Sequence, residues 1–273
     1  MSRYEQIKQE LNLAYNDFYS KCETIKRCPE VFNKEFIDKQ LFNYAARLVD
    51  GYGENNSKRL LVVGLEIAGN RKESVDNLEL VDKVNVNTHW FATMLTVIKF
   101  YYNFDNAKMK QLEKSKEELL ELYNNIVKNK LNFAFTDYLK CGLSNDKEKM
   151  QKNVTRFKCM FENCAVLMAK EIQILKPDLI VFQNIDIFDY LNANCNNIIK
   201  KEDNPIYEKD LYKDKNENIE MKLWECKLLN ENSNFIKKFY SIESYFPRST
   251  FLSTNNIDAM EELYEFIDKY KMF

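Results

Sequence analysis

Two apolar runs, Phe133-Ala-Phe-Thr136 and Leu179-Ile-Val-Phe182, flank a stretch that reads as one long helix from about Thr155 to Leu175. Strand, helix and strand in that order form a unit of parallel sheet. The second run follows Leu175-Lys-Pro177 and is apolar without alternation, the pattern of a strand covered on both faces. Arg59-Leu-Leu-Val-Val-Gly64, upstream, is a first strand of the same kind. Alternating elements of this sort predict an α/β fold: a doubly wound, mostly parallel central sheet with helices on both faces, a three-layer αβα sandwich.

Around this centre, Tyr4, Ile7, Leu11, Ala14 and Phe18 fall at helical spacing and predict an amphipathic first helix. Asn87 or Thr88 caps a helix through Trp90, Met94, Leu95 and Ile98, and Leu112, Leu119, Leu122, Tyr123 and Ile126 line a further one. From Ile67 to Asn87 the chain is polar and irregular, the character of a binding loop or a disordered one. Residues 200–220 are mostly charged or amide and read as an exposed excursion. Leu223 to Leu229 is a strand candidate, and Ile242-Glu-Ser-Tyr-Phe246 reads as the last edge element. Thr254 or Asn255 then caps a closing helix carrying Ile257, Met260, Leu263, Tyr264 and Ile267. The expectation is one domain over 1–273, with an N-terminal helical extension to about residue 55 and a polar insertion at about 197–220.

The 273 residues, 45% hydrophobic and 30% charged, suffice to bury a full core. A net charge of −2, from 40 basic and 42 acidic residues, supplies no overall attraction to nucleic acid or to a membrane surface. Arg71-Lys72, Lys200-Lys201 and Lys237-Lys238 are the places for a local basic groove, or else solvated loops. Apolar stretches are too short for a membrane helix and Met1-Ser-Arg-Tyr-Glu-Gln6 has no signal-peptide core, so a cytoplasmic protein with no membrane partner is expected. Seven cysteines, an odd number, then point to reduced thiols or metal ligands.

Phe135-Thr136-Asp137, Lys140-Cys141, and Cys164 thirteen residues before Pro177 together resemble the uracil-DNA glycosylase superfamily, in its iron-sulfur-bearing branch. The resemblance covers residues 55 to 270 in outline and is specific from Phe133 to Phe182. It implies a uracil-DNA glycosylase-like fold and a hydrolase that cleaves the N-glycosidic bond of a flipped base in DNA. The alternative is a catalytically weak or inactive module of the same fold that binds a base, nucleotide or nucleic acid. The partner implied is DNA or a nucleobase-containing ligand. By order in the chain, Cys22, Cys28, Cys141 and Cys164 are the counterparts of the branch's cluster ligands, with Cys159 competing for the last place. Buried core cysteine, or zinc on the same thiolates, are the other readings.

Ligands in such sheets bind beyond the carboxyl ends of the strands, which is where Glu66, Asp137, Asn184 and Arg248 fall. In the superfamily the residue two after the first strand's glycine positions water; here that reads Gly64-Leu65-Glu66. Glu66 either orients water and stabilises a positive sugar, or caps a turn or pairs with Arg71. Ile67 replaces the family's usual proline and precedes Ala68-Gly69-Asn70, with Asn70 a base-binding candidate. Asp137 replaces an asparagine whose amide matches N3–H and O4 of uracil. An aspartate offers only acceptors when ionised, which suits an amino-bearing or modified base; the bland reading is a cap on the following segment. Phe246 stands where the family has the histidine that donates to the leaving base, and Arg248 is the remaining cation near it. Trp90 and Phe91 are near where the family places its stacking ring, though aromatics are commonly core.

Overall fold

The computed structural model describes residues 1–21, 46–64, 88–105, 107–108, 116–129, 131–138, 154–183, 185–211, 219–243 and 254–273. Six helices are described: α1 (Arg3–Lys21), α2 (Thr88–Tyr101), α3 (Lys116–Asn129), α4 (Val154–Leu175), α5 (Ile185–Cys195) and α6 (Thr254–Lys269). The strands are β1 (Arg47–Leu48), β2 (Arg59–Gly64), β3 (Asn132–Asp137), β4 (Leu179–Phe182), β5 (Ile199–Lys201), β6 (Tyr207–Leu211), β7 (Ile219–Leu229) and β8 (Phe235–Glu243). They form one mixed sheet in the order β1-β3-β2-β4-β8-β7-β5, with β6 also on β7.

The apolar runs become the parallel centre. β2 pairs with β3 on one side and with β4 on the other, and β4 pairs with β8, all parallel. Leu60, Leu61, Val62 and Val63 are buried, as are Leu179 to Phe182, so these strands are covered on both faces. The outer pairings are antiparallel: β1 is antiparallel to β3, and β7 is antiparallel to β8, β5 and β6. The structure is therefore α/β with a parallel centre and antiparallel flanks.

Helices lie on both faces. Thr136 of β3 reaches Glu171 of α4, and Phe182 of β4 stacks on Phe188 of α5 at 5.0 Å. Tyr240, whose side chain leaves β8 on the opposite face from that of Glu243, meets Phe273, which in turn meets Phe100 of α2. α2 is joined to α6 by Thr96 and Tyr264, whose hydroxyls lie 2.8 Å apart, and by the Lys99–Glu261 pair. Sequence order and helical spacing anticipate five of these helices; α5, which follows β4 directly, is the one they miss. Their inner faces bury Ile7 and Leu11, Val97 and Ile98, Tyr123 and Ile126, and Leu263 and Ile267 in one contiguous core. Each such aliphatic side chain contributes about 1.5–3 kcal/mol of burial.

Local chemistry sets the boundaries. α4 stops because Pro177 follows: Lys176 takes the left-handed conformation at φ 50 and donates its N–H to Ile172 O at 2.8 Å. Asp178 then aligns three strands at their amino edge, accepting from Arg59 N at 2.8 Å and pairing with Lys237 at 2.5 Å. Gly53 has φ +83, a left-handed conformation in which a side chain is strained, so the turn before β2 favours glycine there.

Three sequence expectations change. The described residues of 197–220 are not an excursion, because β5, β6 and the start of β7 lie within them, and β5 and β6 together cover the outer edge of β7. Residues 46–55 belong to the body and not to a helical extension: β1 covers the free edge of β3, and Tyr52 is buried with its hydroxyl donating to Leu175 O at 3.1 Å. Finally, Ile242 and Glu243 end an interior strand, since β8 lies between β4 and β7. Residues 244–250 are outside the described residues.

Candidate functional site

β3 and β4 flank β2 on opposite sides, so the chain leaving the sheet's carboxyl edge reverses its direction of travel there. That is a topological switch point, where α/β sheets leave a crevice. The parallel register fixes who meets at the edge. Thr136, Val63, Phe182 and Glu243 form one row of Cα partners, and Gly64 and Asp137 form the next. Beyond the strands the ladder continues by one bond on each side of β2, from Tyr138 N to Gly64 O at 2.8 Å and from Gln183 N to Val63 O at 2.9 Å.

The residues on either side of Asp137 are anchored. Thr136 donates to Glu171 Oε2 at 3.2 Å, and the buried Tyr138 donates its hydroxyl to Phe161 O at 2.8 Å. Tyr138 also lies against Phe161, which stacks on Tyr190 at 4.7 Å. Burial pushes the Tyr138 phenol above its ordinary range, so this anchor stays protonated across neutral pH. The backbone of Asp137 is thereby held at the end of β3.

Of the residues singled out from sequence, Asp137 ends β3 beside Gly64, and Trp90 and Phe91 occupy the first turn of α2. Glu66, Asn70, Asn184 and Arg248 lie outside the described residues, as do Cys22, Cys28 and Cys141. Cys164 is buried on α4, near enough to Tyr138 to act on its phenol, as Cys195 also is. One thiol packed in the core does not by itself make a cradle for a cluster, and among the described residues no group of three His, Cys, Asp or Glu is arranged around a metal position. No step is derived through a cluster.

Three of the lysines proposed for a groove are engaged, and Arg71 and Lys72 lie outside the described residues. Lys201 pairs with Asp189 at 2.7 Å, Lys237 with Asp178 at 2.5 Å, and Lys238 with Glu225. They sit on β5 and β8, not on loops. Among the described residues no helix is long and apolar enough to cross a membrane.

One acidic residue at this edge has no counterpart among the sequence candidates. Glu243, the last residue of β8, is 3% exposed. Its Oε2 accepts the indole N–H of Trp224 at 2.8 Å, while its Oε1 is buried without a hydrogen-bond partner. Burial pushes the carboxyl up to about 7, Asp189 pushing in the same direction and Trp224, Lys201 and Lys222 opposing. The sequence carries no sign of this, because a glutamate between Ile242 and Ser244 reads as solvent-facing; only the pairing of β7 with β8 brings Trp224 over it.

No protein-family model matches the chain, and no curated protein matches it.

Proposed function

We propose that the chain is a uracil-DNA glycosylase-like hydrolase acting on the N-glycosidic bond of a flipped base in DNA, with a base preference shifted away from uracil. The observation that carries this reading is the register of Gly64 with Asp137, with Phe182 level with Val63 on the other side of β2. The strands that lead into Gly64-Leu65-Glu66, Asp137 and Asn184 end side by side at one switch point, which supports this reading.

In this reading Glu66 aims water at the sugar carbon and offsets the positive charge that develops there. Asp137 accepts from the exocyclic amine of the base, Asn70 and Asn184 contact its remaining edge, and Trp90 or Phe91 stacks on its face. Arg248 stabilises negative charge near the leaving base. The test is single-turnover cleavage of labelled oligonucleotides carrying uracil, cytosine, hypoxanthine or modified pyrimidines, with Glu66→Ala alongside. Abasic sites formed by wild type and lost in the variant establish the activity and its base. Asp137→Asn then shifts preference toward uracil, and an unchanged preference overturns the role of Asp137.

A second reading, a binding module on the same fold, is favoured by the pairing of Lys201, Lys237 and Lys238, which leaves these cations committed to protein carboxylates. Base binding without cleavage is its signature.

A further inference from the structure

Buried carboxyl groups in folded proteins have their oxygens satisfied, because an unpartnered polar atom away from water is costly. Glu243 departs from this at the carboxyl edge of the sheet. Its Oε2 is held by Trp224, and its Oε1, fully buried, has no partner among the described residues. The groups facing it come from three elements: Asp189 on α5, Lys201 on β5, and Lys222, Trp224 and Cys226 on β7. None of them satisfies Oε1. Lys201 is drawn away by Asp189 at 2.7 Å and lies 4.2 Å over the Trp224 ring; Lys222 pairs with Glu208 at 3.1 Å. The indole N–H thus holds one oxygen of the carboxyl and leaves the other to spare.

Its position matters as much as its deficit. Glu243 is the Cα partner of Phe182, and Phe182 is the partner of Val63, so Glu243 stands two strands from the end of β2, about 10 Å at the usual interstrand spacing. It is on the same edge as the Gly64 and Asp137 motifs, three residues before Phe246, where the superfamily places its base-facing histidine.

We propose that Glu243 is a substrate-contacting residue of this crevice: protonated at Oε1, it donates to a carbonyl oxygen or ring nitrogen of the bound base, the task the superfamily gives its histidine. The inference rests on the hydrolase reading above and narrows its substrate to a base with an acceptor for Glu243. In the reaction the bond between sugar carbon and base nitrogen breaks, its electron pair passing to the base. The base takes the Glu243 proton, the water oxygen bonds to the sugar carbon, and the water's proton goes to Glu66. Exchange with solvent restores both carboxyl groups. Elevation of the Glu243 carboxyl to about 7 supports this, since a neutral acid is present near neutral pH.

The experiment has two arms on the full chain. In the first, single-turnover cleavage is followed from pH 5.5 to 9 for wild type, Glu66→Ala and Glu243→Gln, the last keeping shape and a donor while losing the proton. The expected wild-type rate falls about tenfold per pH unit above 7, and Glu243→Gln is slower by about 10²-fold with a flat profile. In the second, the indole N–H resonance of Trp224, assigned with Trp224→Phe, is titrated with pH with and without free cytosine. A midpoint near 7 that moves upward with the base is expected, because a ligand that accepts from the protonated acid binds that form. Cleavage that depends on Glu66 but has the same pH profile in Glu243→Gln overturns the role of Glu243 and leaves the hydrolase standing. No cleavage, with a midpoint that the base still moves, keeps Glu243 as a base contact and removes the hydrolase. No cleavage and no movement overturns both.

Discussion

Two buried glutamates on the same face of the sheet are treated differently by their surroundings. Glu171, on α4, is fully buried and accepts from the Tyr15 hydroxyl of α1 and the Thr136 hydroxyl of β3. Tyr15 in turn accepts from Ala46 N at 2.7 Å, so one carboxyl ties the first helix, the approach to β1 and the end of β3 into a single network. Glu243 sits at the same carboxyl edge with one oxygen bonded and the other unpartnered. A network with both oxygens engaged rigidifies a core, whereas a half-satisfied one stores a cost that a ligand or a proton can relieve. The first glutamate is thus architecture that holds Asp137 in place, and the second is a group kept ready.

The largest effect is expected where the network is complete. Glu171→Ala leaves the Tyr15 and Thr136 hydroxyls buried without this acceptor and opens a cavity, at a cost of about 3–5 kcal/mol. Urea denaturation monitored by circular dichroism reads this as a lowered midpoint. A loss below about 1 kcal/mol would put Glu171 in the same class as a surface residue and dissolve the contrast.

Next in size is a pH effect that belongs to Glu243 alone. Its folded carboxyl is raised from 4.5 to about 7, so stability is full below the unfolded value and is lost as pH rises through the folded one. At about 1.4 kcal/mol per pH unit, the window from 4.5 to 7 amounts to about 3 kcal/mol lost by wild type relative to Glu243→Gln. Parallel denaturation series at pH 4.5, 6 and 8 isolate that difference, because other titrating groups are common to both proteins. Curves for the two that stay parallel would mean that Glu243 is solvated and not held ready.

Trp224→Phe is expected to cost about 1–2 kcal/mol at pH 8, where it strips the remaining donor from a charged Glu243, and less at pH 5, where the acid is neutral. Equal losses at both values would show that the indole contributes packing and not a hydrogen bond to this site.

How much of this was legible in the sequence divides along the same line. β2, β3 and β4 were readable because strands covered on both faces must be continuously apolar. β5 and β6 were not, because Tyr207-Glu-Lys-Asp-Leu211 lies on an edge and needs only its backbone paired with β7. β8 was placed too late and at the edge because Lys237, Lys238, Ser241 and Glu243 break its apolar run. Their contacts come from elsewhere in the chain: Asp178 for Lys237, Cys226 for Ser241, Trp224 for Glu243. At the site, the Gly64 and Asp137 motifs had spacing to give them away, whereas Glu243 is defined only by pairing across strands.

The smallest expected effect concerns the lysines, and it tests whether the charge on β8 is structural in the sense that Glu171 is. Lys238 pairs with Glu225 diagonally across the β7–β8 ladder, its direct partner there being Lys227, but both side chains are substantially exposed, at 45% and 32%. Water screens such a pair and ordering two long side chains offsets most of its attraction, so Lys238→Ala should change stability by less than about 0.5 kcal/mol. The side-chain hydrogen bond to Glu225 raises the Lys238 ammonium, a shift that is a property of the surface pair and adds little to folding. The same variant is informative for DNA. Since the cation is already matched by Glu225, its removal should leave the salt dependence of oligonucleotide binding unchanged within error, whereas a phosphate contact would lower the slope by about one. A reduced slope would mean that the pair opens to bind a phosphate, and would move β8 from the supporting sheet into the nucleic-acid interface.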